Sequence, residues 1–352
     1  VGGGIAGLQA AIQLGRYGHR VLVLDKGDGR SKLCRKYGNL LGWPEGISGE
    51  ELRARGRRHA ARYGVAFRED EITRAGRIED GGFVLEGAAG RYEGRAVLFA
   101  TGVADRFPDL PGMIPCLGRS IFICPDCDGY EARNRRTLVI GAGAAGARMA
   151  LTLAYWCRAG LTLVNHEPAR PVPEPLLARL RERRIAAIDG PAVSLEQTDG
   201  FLQAVRLEDG TVLRAGIAFV ALGGAQARTE LARELGVERL ENGHALSDPR
   251  SKMSNVPGVW IAGDIGVHAE LVSVAMGEGM LAAVWMHKYL LGQRPTGAPP
   301  HEPSAFPARP SDSGSSPART NLCETTWRYV SSACRPSSVS PYTPLRTRSN
   351  QP

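Results

Sequence analysis

The sequence predicts an α/β protein made of two Rossmann-like dinucleotide-binding domains, the second inserted in the first, with a disordered C-terminal tail. Three observations predict it. A pattern of glycine turn, helix and apolar strand is written twice; a further apolar strand, ending in Gly263 and Asp264, returns after the second copy; and apolar periodicity stops near residue 292.

The first copy opens on Gly2, Gly4 and Gly7, spaced G-x-G-x-x-G, and runs through a helix over 8–14 to a strand over 21–25. Glycines at this spacing allow a tight bend, close approach of the backbone to a pyrophosphate, and tight packing of helix on strand, while the helix N-terminus faces the anion. Asp25 stands 18 residues after Gly7 at the strand end, where a carboxylate accepts from ribose hydroxyls. Such a fold needs a central strand before its glycines, and only Val1 precedes Gly2, so the chain reads as lacking most of that strand.

Ser48 followed by Glu51 has the spacing of a capping box and starts an amphipathic helix reaching about residue 63. Its arginines, Arg53, Arg55, Arg57 and Arg58, are expected to be interspersed on a solvated face. A hairpin-like stretch and a buried strand over 96–102, ending in Gly102, complete this segment.

The second copy repeats the order: a strand over 137–140, the turn Gly141, Gly143 and Gly146, a helix to about 155, a strand over 161–164, a hairpin-like stretch, and a strand over 217–224. A second dinucleotide is the natural reading. Its ribose position holds Asn165 in place of an acid, and His166 and Glu167 offer no arginine fork for a 2'-phosphate, so any preference for NADPH over NADH is expected to be weak. The plainer alternative is a domain that keeps the fold and binds nicotinamide poorly. With the returning strand over 256–264 and a helix to about 291, the layout is a first domain at 1–105 and 228–291, a second at 106–227, and a tail at 292–352.

Composition narrows the function. A chain of 352 residues with 43% hydrophobic and 23% charged residues has room for two buried cores and is that of a globular protein. No apolar run approaches the roughly 18–20 residues of a membrane span, and no signal peptide opens the chain, so the expected address is the cytoplasm. The net charge of +8 does not argue for nucleic acid, because seven arginines against three acids after Gly292 account for half of it. Seven cysteines at irregular spacing do not make a disulfide framework. Cys34, Cys116 and Cys157 read as buried small apolar residues, and Cys323 and Cys334 fall in the tail.

Cys124-Pro-Asp-Cys127 is the chemical centre. Two thiols two residues apart can close a disulfide, and one thiolate can attack a substrate disulfide while the other resolves the mixed disulfide. Half of a zinc site and a merely structural pair are the competing readings; the zinc site needs two more ligands, and no second C-x-x-C or H-x-H cluster follows.

Cys124-Pro-Asp-Cys-Asp-Gly-Tyr-Glu131, followed closely by the second glycine turn, resembles the low-molecular-weight thioredoxin reductases of the FAD/NAD(P) pyridine nucleotide-disulfide oxidoreductases. Asn39 with Gly42-Trp-Pro44 is similar to the family's flavin-side loop, Ala100-Thr101-Gly102 to its crossover motif, and Gly263-Asp264 to the motif whose aspartate holds the ribityl chain. The resemblance covers 1 to about 291. It implies FAD on the first turn, with Gly2, Gly4, Gly7, Asp25, Asn39, Thr101, Gly102, Gly263 and Asp264. It also implies NADPH or NADH on Gly141, Gly143 and Gly146, and a homodimer. Cys127 would face the flavin, Cys124 would meet the substrate, and Asp128 would act as general acid.

The family usually carries His-Arg-Arg where this chain has Asn165-His166-Glu167, and Arg-Gln where it has Glu270-Leu271. The expected substrate is thus a thioredoxin-like protein or a small-molecule disulfide. Two further readings stand beside the reductase: a flavin-dependent dithiol oxidase of the gliotoxin oxidase type, passing electrons to oxygen, and a flavin redox sensor, for which the basic tail is the sole support.

Overall fold

The computed structural model describes residues 1–79, 81–267 and 270–293, all within one compact unit, Val1–Pro295. The expected disordered tail lies outside the described residues.

The second glycine turn is embedded in a five-stranded parallel sheet ordered Ala186–Asp189, Leu161–Asn165, Thr137–Gly141, Ile217–Ala221 and Ile121–Phe122. Its central strand is buried along its whole length, which is why it reads as a continuous apolar run. The period of two sorts its side chains into two cores: Leu138 and Ile140 join Val164 and Val220 in one, while Val139 joins Leu163, Ile217 and Phe219 in the other.

The first copy is built to the same plan. Leu22–Leu24 pairs in parallel with Ala66–Arg68, and Val97–Phe99 with Val259–Ile261. Val1 and Gly2 join the two pairs: Gly2 N–H donates to Leu24 O (2.7 Å), Ala100 N–H to Val1 O (2.8 Å), and the Val1 amino group to Leu98 O (2.7 Å). Two residues thus occupy the centre of this layer. Its outer strand comes from beyond the second copy, as the notion of an inserted domain requires. Each layer carries a three-stranded antiparallel meander, Ile72–Arg77 to Gly90–Gly94 in the first and Ala192–Thr198 to Val212–Arg214 in the second. The chain crossings Val103–Ala104 and Gln226–Ala227 pair antiparallel.

Helix Ile5–Arg16 packs on the long helix Val272–Leu290 so closely that a Cβ on Gly279 would lie 2.2 Å from Ala6 O. Helix Gly49–Ala61 starts at Ser48, whose Oγ accepts from Glu51 N–H (3.1 Å). Only half of the capping box forms, because the Glu51 carboxylate accepts from Arg55 instead. Of this helix's arginines, Arg55 and Arg58 lie on the exposed face expected of them, Arg57 is half-buried, and Arg53 differs. Arg53 is 5% exposed and points inward, since Asp25 waits at the end of the neighbouring strand. Among the described residues no helix is long and apolar enough to cross a membrane.

Candidate active site

A cavity of about 630 Å³ lies in front of the first glycine turn and reaches the dithiol. Gly2 and Gly4 form part of its wall. Helix Ile5–Arg16 begins at Gly4 with no side-chain cap and no acid in its first turn, so its leading N–H groups have no side-chain acceptor. A Cβ on Gly4 would meet nothing within 4 Å. This is an anion cradle, with partial positive charge directed at open space. Gly7 serves differently: its own Cβ would lie 2.0 Å from Gly2 O, so it closes the helix on the turn and stays out of the cavity wall.

The strand-end carboxylate is also in the wall. Asp25 Oδ2 accepts from Arg53 Nη2 (2.8 Å) and Arg57 Nη2 (2.7 Å). Burial alone would raise its pKa, but the Gly3 N–H and the two guanidinium groups hold it below the usual carboxylate range. Farther along the wall stand Asn39, Thr101 and Gly102, with Thr101 Oγ1 donating to Arg228 O (2.6 Å). Gly263 and Asp264 follow. Gly263 N–H donates to Glu278 Oε2 (3.0 Å), and Glu278 is buried against Lys252 Nζ (2.7 Å), which fixes the Gly-Asp turn. Ser31 Oγ, buried in the same wall, has no partner. An uncapped helix start, a glycine with open space before it, a ribose-ready carboxylate and an orphaned hydroxyl together fit the diphosphate and sugars of FAD.

At the other end of the cavity the helical turn Pro125–Asp128 presents the two cysteines. Cys124 and Cys127 form a disulfide with Cα atoms 5.3 Å apart, and Cys127 N–H donates to Cys124 Sγ (3.1 Å). Both line the cavity, as does Asp128. Burial, with help from the Glu131 charge, pushes the Asp128 carboxyl up to about 7. Cys34 and Tyr37 belong to this wall as well. Burial pushes the Cys34 thiol up to about 12 and raises the Tyr37 phenol. Cys116 is buried as expected, whereas Cys34 and Cys157 are only half-buried; the Cys34 loop was drawn to the cavity by contacts that local sequence does not announce.

The second glycine turn has a different setting. Gly141 and Gly146 face each other, a Cβ on Gly141 falling 2.4 Å from Gly146 Cα, so their smallness is used in helix-on-strand packing. Gly143, at φ +50°, is the first residue of helix Gly143–Leu153, and its N–H already donates to Asn165 Oδ1 (2.9 Å). Asn165 Nδ2 is anchored on Asp189 Oδ1 (2.8 Å) and Arg170 O (3.3 Å). The chain at Arg170 and Pro171 lies over the turn: their carbonyl oxygens are 3.2 and 3.4 Å from where a Gly143 Cβ would be. Arg170 Nη1 then donates to Leu222 O (2.8 Å) and to Glu167 Oε2 (3.0 Å), and Arg106 grips the same Glu167. Positions 165–167 carry no arginine fork, yet two arginines reach Glu167 from 106 and 170, a convergence that the local spacing does not reveal. None of the three turn glycines lines the large cavity. In this conformation the chain's own residues cover the second turn at Gly143, while Ala144 and Ala145 stay half-buried.

Comparison with known proteins agrees with this architecture. Residues 1–279 match the pyridine nucleotide-disulphide oxidoreductase family. The thioredoxin reductase tcpT of Claviceps purpurea (strain 20.1) is 30% identical over 307 residues, covering 83% of this chain and 93% of that protein. A thioredoxin reductase of Mycolicibacterium smegmatis is 27% identical over 302 residues, covering 83% and 96%. Among solved structures, that of HlmI superposes with a TM-score of 0.75 at 29% identity, over 83% of this chain and 91% of that one. Thioredoxin reductases use FAD and NADPH. The dithiol, the cavity that joins it to the first glycine turn, and these relatives converge: the chain belongs to the pyridine nucleotide-disulphide oxidoreductase family and is a thioredoxin reductase-like oxidoreductase.

Proposed function

We propose that this protein is an FAD-dependent thiol-disulfide oxidoreductase that reduces a disulfide substrate, a thioredoxin-like protein or a small molecule, through Cys124 and Cys127. The observation that carries this reading is that the first glycine turn and the dithiol open on one cavity. Bound FAD would supply two-electron transfer between reduced nicotinamide and the Cys124–Cys127 disulfide. In the reduced pair, the Cys127 N–H that now donates to Cys124 Sγ would favour a thiolate there, which suits Cys124 to attack the substrate. Its sulfur bonds to one substrate sulfur and the substrate disulfide breaks. Asp128, near half-protonated at neutral pH, gives its proton to the departing thiolate. Cys127, giving its proton to the Asp128 carboxylate, then attacks Cys124; the second substrate thiolate leaves and takes that proton, and the disulfide closes again. In this reading the enzyme is a cytoplasmic homodimer with domains at 1–105 with 228–291 and at 106–227.

A second reading is favoured by one observation, the covered second turn. There the electrons run from a substrate dithiol through the cysteines to FAD and on to oxygen. Anaerobic titration separates the two. Flavin bleaching by NADH or NADPH supports the reductase; bleaching by small dithiols alone overturns it in favour of the oxidase.

The cysteine roles are tested by serine variants. Cys124→Ser should leave one thiolate beside oxidised flavin, with a long-wavelength charge-transfer band; Cys127→Ser should lack the band and trap a mixed disulfide with substrate. A band in Cys127→Ser, or full turnover in either variant, sinks the assignment.

A further inference from the structure

The flavin cavity contains one cation shared among carboxylates from distant parts of the chain. Arg30 sits at the start of the short helical turn Arg30–Leu33. Its Nε lies 3.0 Å from Asp105 Oδ2, an ion-pair contact without hydrogen-bond alignment. Its Nη1 donates to Asp264 Oδ2 (3.3 Å) and to Glu270 Oε2. His244 Nε2 stands 3.9 Å from the other Glu270 oxygen. Arg30, Asp264 and Glu270 all line the cavity, beside the orphaned Ser31 hydroxyl. The three acids come from the crossing after Gly102, from the Gly-Asp turn, and from the approach to helix Val272–Leu290.

We propose that Arg30 is a positioning residue of the flavin site, gathering Asp105, Asp264 and Glu270 on one guanidinium so that Asp264 is held for the cofactor and the acidic wall does not repel its diphosphate. The argument is electrostatic. FAD brings negative charge into a partly desolvated cavity, where repulsion from wall carboxylates such as Asp264 and Glu270 is little screened once their shared cation is gone. A guanidinium can serve several carboxylates at once because its donors form a planar fork and it stays charged at every relevant pH. The cation that faces Glu270 comes from the loop at Arg30, 240 positions earlier in the chain.

The test is FAD affinity, measured on stripped protein by the quenching of flavin fluorescence at about 0.05 M and about 0.5 M salt. Arg30→Met should weaken FAD by at least about tenfold at low salt, as expected for carboxylates left without their cation. The loss should shrink at high salt, and also in the double variant Arg30→Met/Glu270→Gln. Arg30→Lys, which keeps the charge and loses the planar fork, should fall between the parent and Arg30→Met. A purely structural role predicts equal loss at both salts with no rescue by Glu270→Gln, and that result overturns the proposal, as does an Arg30→Met protein that binds FAD like the parent. If Arg30→Met fails to fold, Glu270→Gln alone decides: with Arg30 intact it should keep or tighten FAD binding, and a tenfold loss would refute the mechanism. None of these measurements depends on the direction of electron flow.

Discussion

The two glycine turns share one motif and meet opposite fates, and the difference lies in where the strand-end side chain is held. In the first copy Asp25 accepts from Gly3 N–H, one residue ahead of the helix cap, and is held there by Arg53 and Arg57. The leading N–H groups of helix Ile5–Arg16 stay directed at the cavity. In the second copy Asn165 accepts from Gly143 N–H, the first residue of the helix itself, and is pinned by Asp189 and the Arg170 carbonyl. A shift of one position along the G-x-G-x-x-G motif in this hydrogen bond, together with a loop that Arg170 ties to Leu222, turns an open cradle into a covered one. The motif specifies a turn that can hold a phosphate; the neighbours decide whether it is open.

The comparison is best tested where the open turn meets the chemistry. Asp128→Asn should lower disulfide turnover by about a hundredfold or more, the range of a lost general acid. The sign of the pH dependence follows from the raised carboxyl. In the parent enzyme the proton is present below about 7, so turnover should fall as pH rises through that value, and the variant's profile should lose this limb. An unchanged profile in Asp128→Asn would detach Asp128 from the proton transfer.

A smaller effect is expected from filling the open cradle. Gly4→Val places methyl groups where nothing lies within 4 Å, so the fold should survive while FAD affinity drops between about tenfold and a hundredfold, the equivalent of ~1–3 kcal/mol of overpacking. Gly143→Ala in the covered turn should leave FAD content untouched. Equal flavin loss in both variants would erase the contrast between the two turns.

Smaller again is the effect of loosening the cover. Arg170→Ala removes the ties to Leu222 O and Glu167 and should tighten NADH binding by about threefold to tenfold, because less binding energy goes into opening the turn. Direct titration of NADH onto the oxidised protein measures this. Weaker binding would instead make Arg170 a cofactor ligand. The smallest effect is local: Ser48→Ala should cost about 1 kcal/mol of stability through the lost cap and leave both turns as they are, read from denaturant midpoints.

Much of the fold was legible because it is written in local patterns. The continuous apolar run at Thr137–Gly141 announces a strand buried on both faces, and Ser48 before Glu51 announces a helix start. The dithiol was legible for the same reason, since two cysteines three positions apart need only one helical turn to meet. The inward turn of Arg53, the place of Cys34 in the cavity wall, and the meeting of Arg106 and Arg170 on Glu167 were not. Each depends on partners brought together from separate stretches of chain, and an arginine in a helix reads as solvated until the acid opposite it is known.

The sequence by itself determined the two layers, the glycine turns and the pairing of Cys124 with Cys127, because periodicity, glycine spacing and cysteine spacing act within a few residues. Only the tertiary structure decided which turn is open, which cation pairs with Asp264 and Glu270 in the cavity wall, and how far burial lifts Asp128. Those outcomes rest on desolvation and on contacts between residues up to 240 positions apart, such as Arg30 with Glu270, and neither is a property of any local stretch of chain.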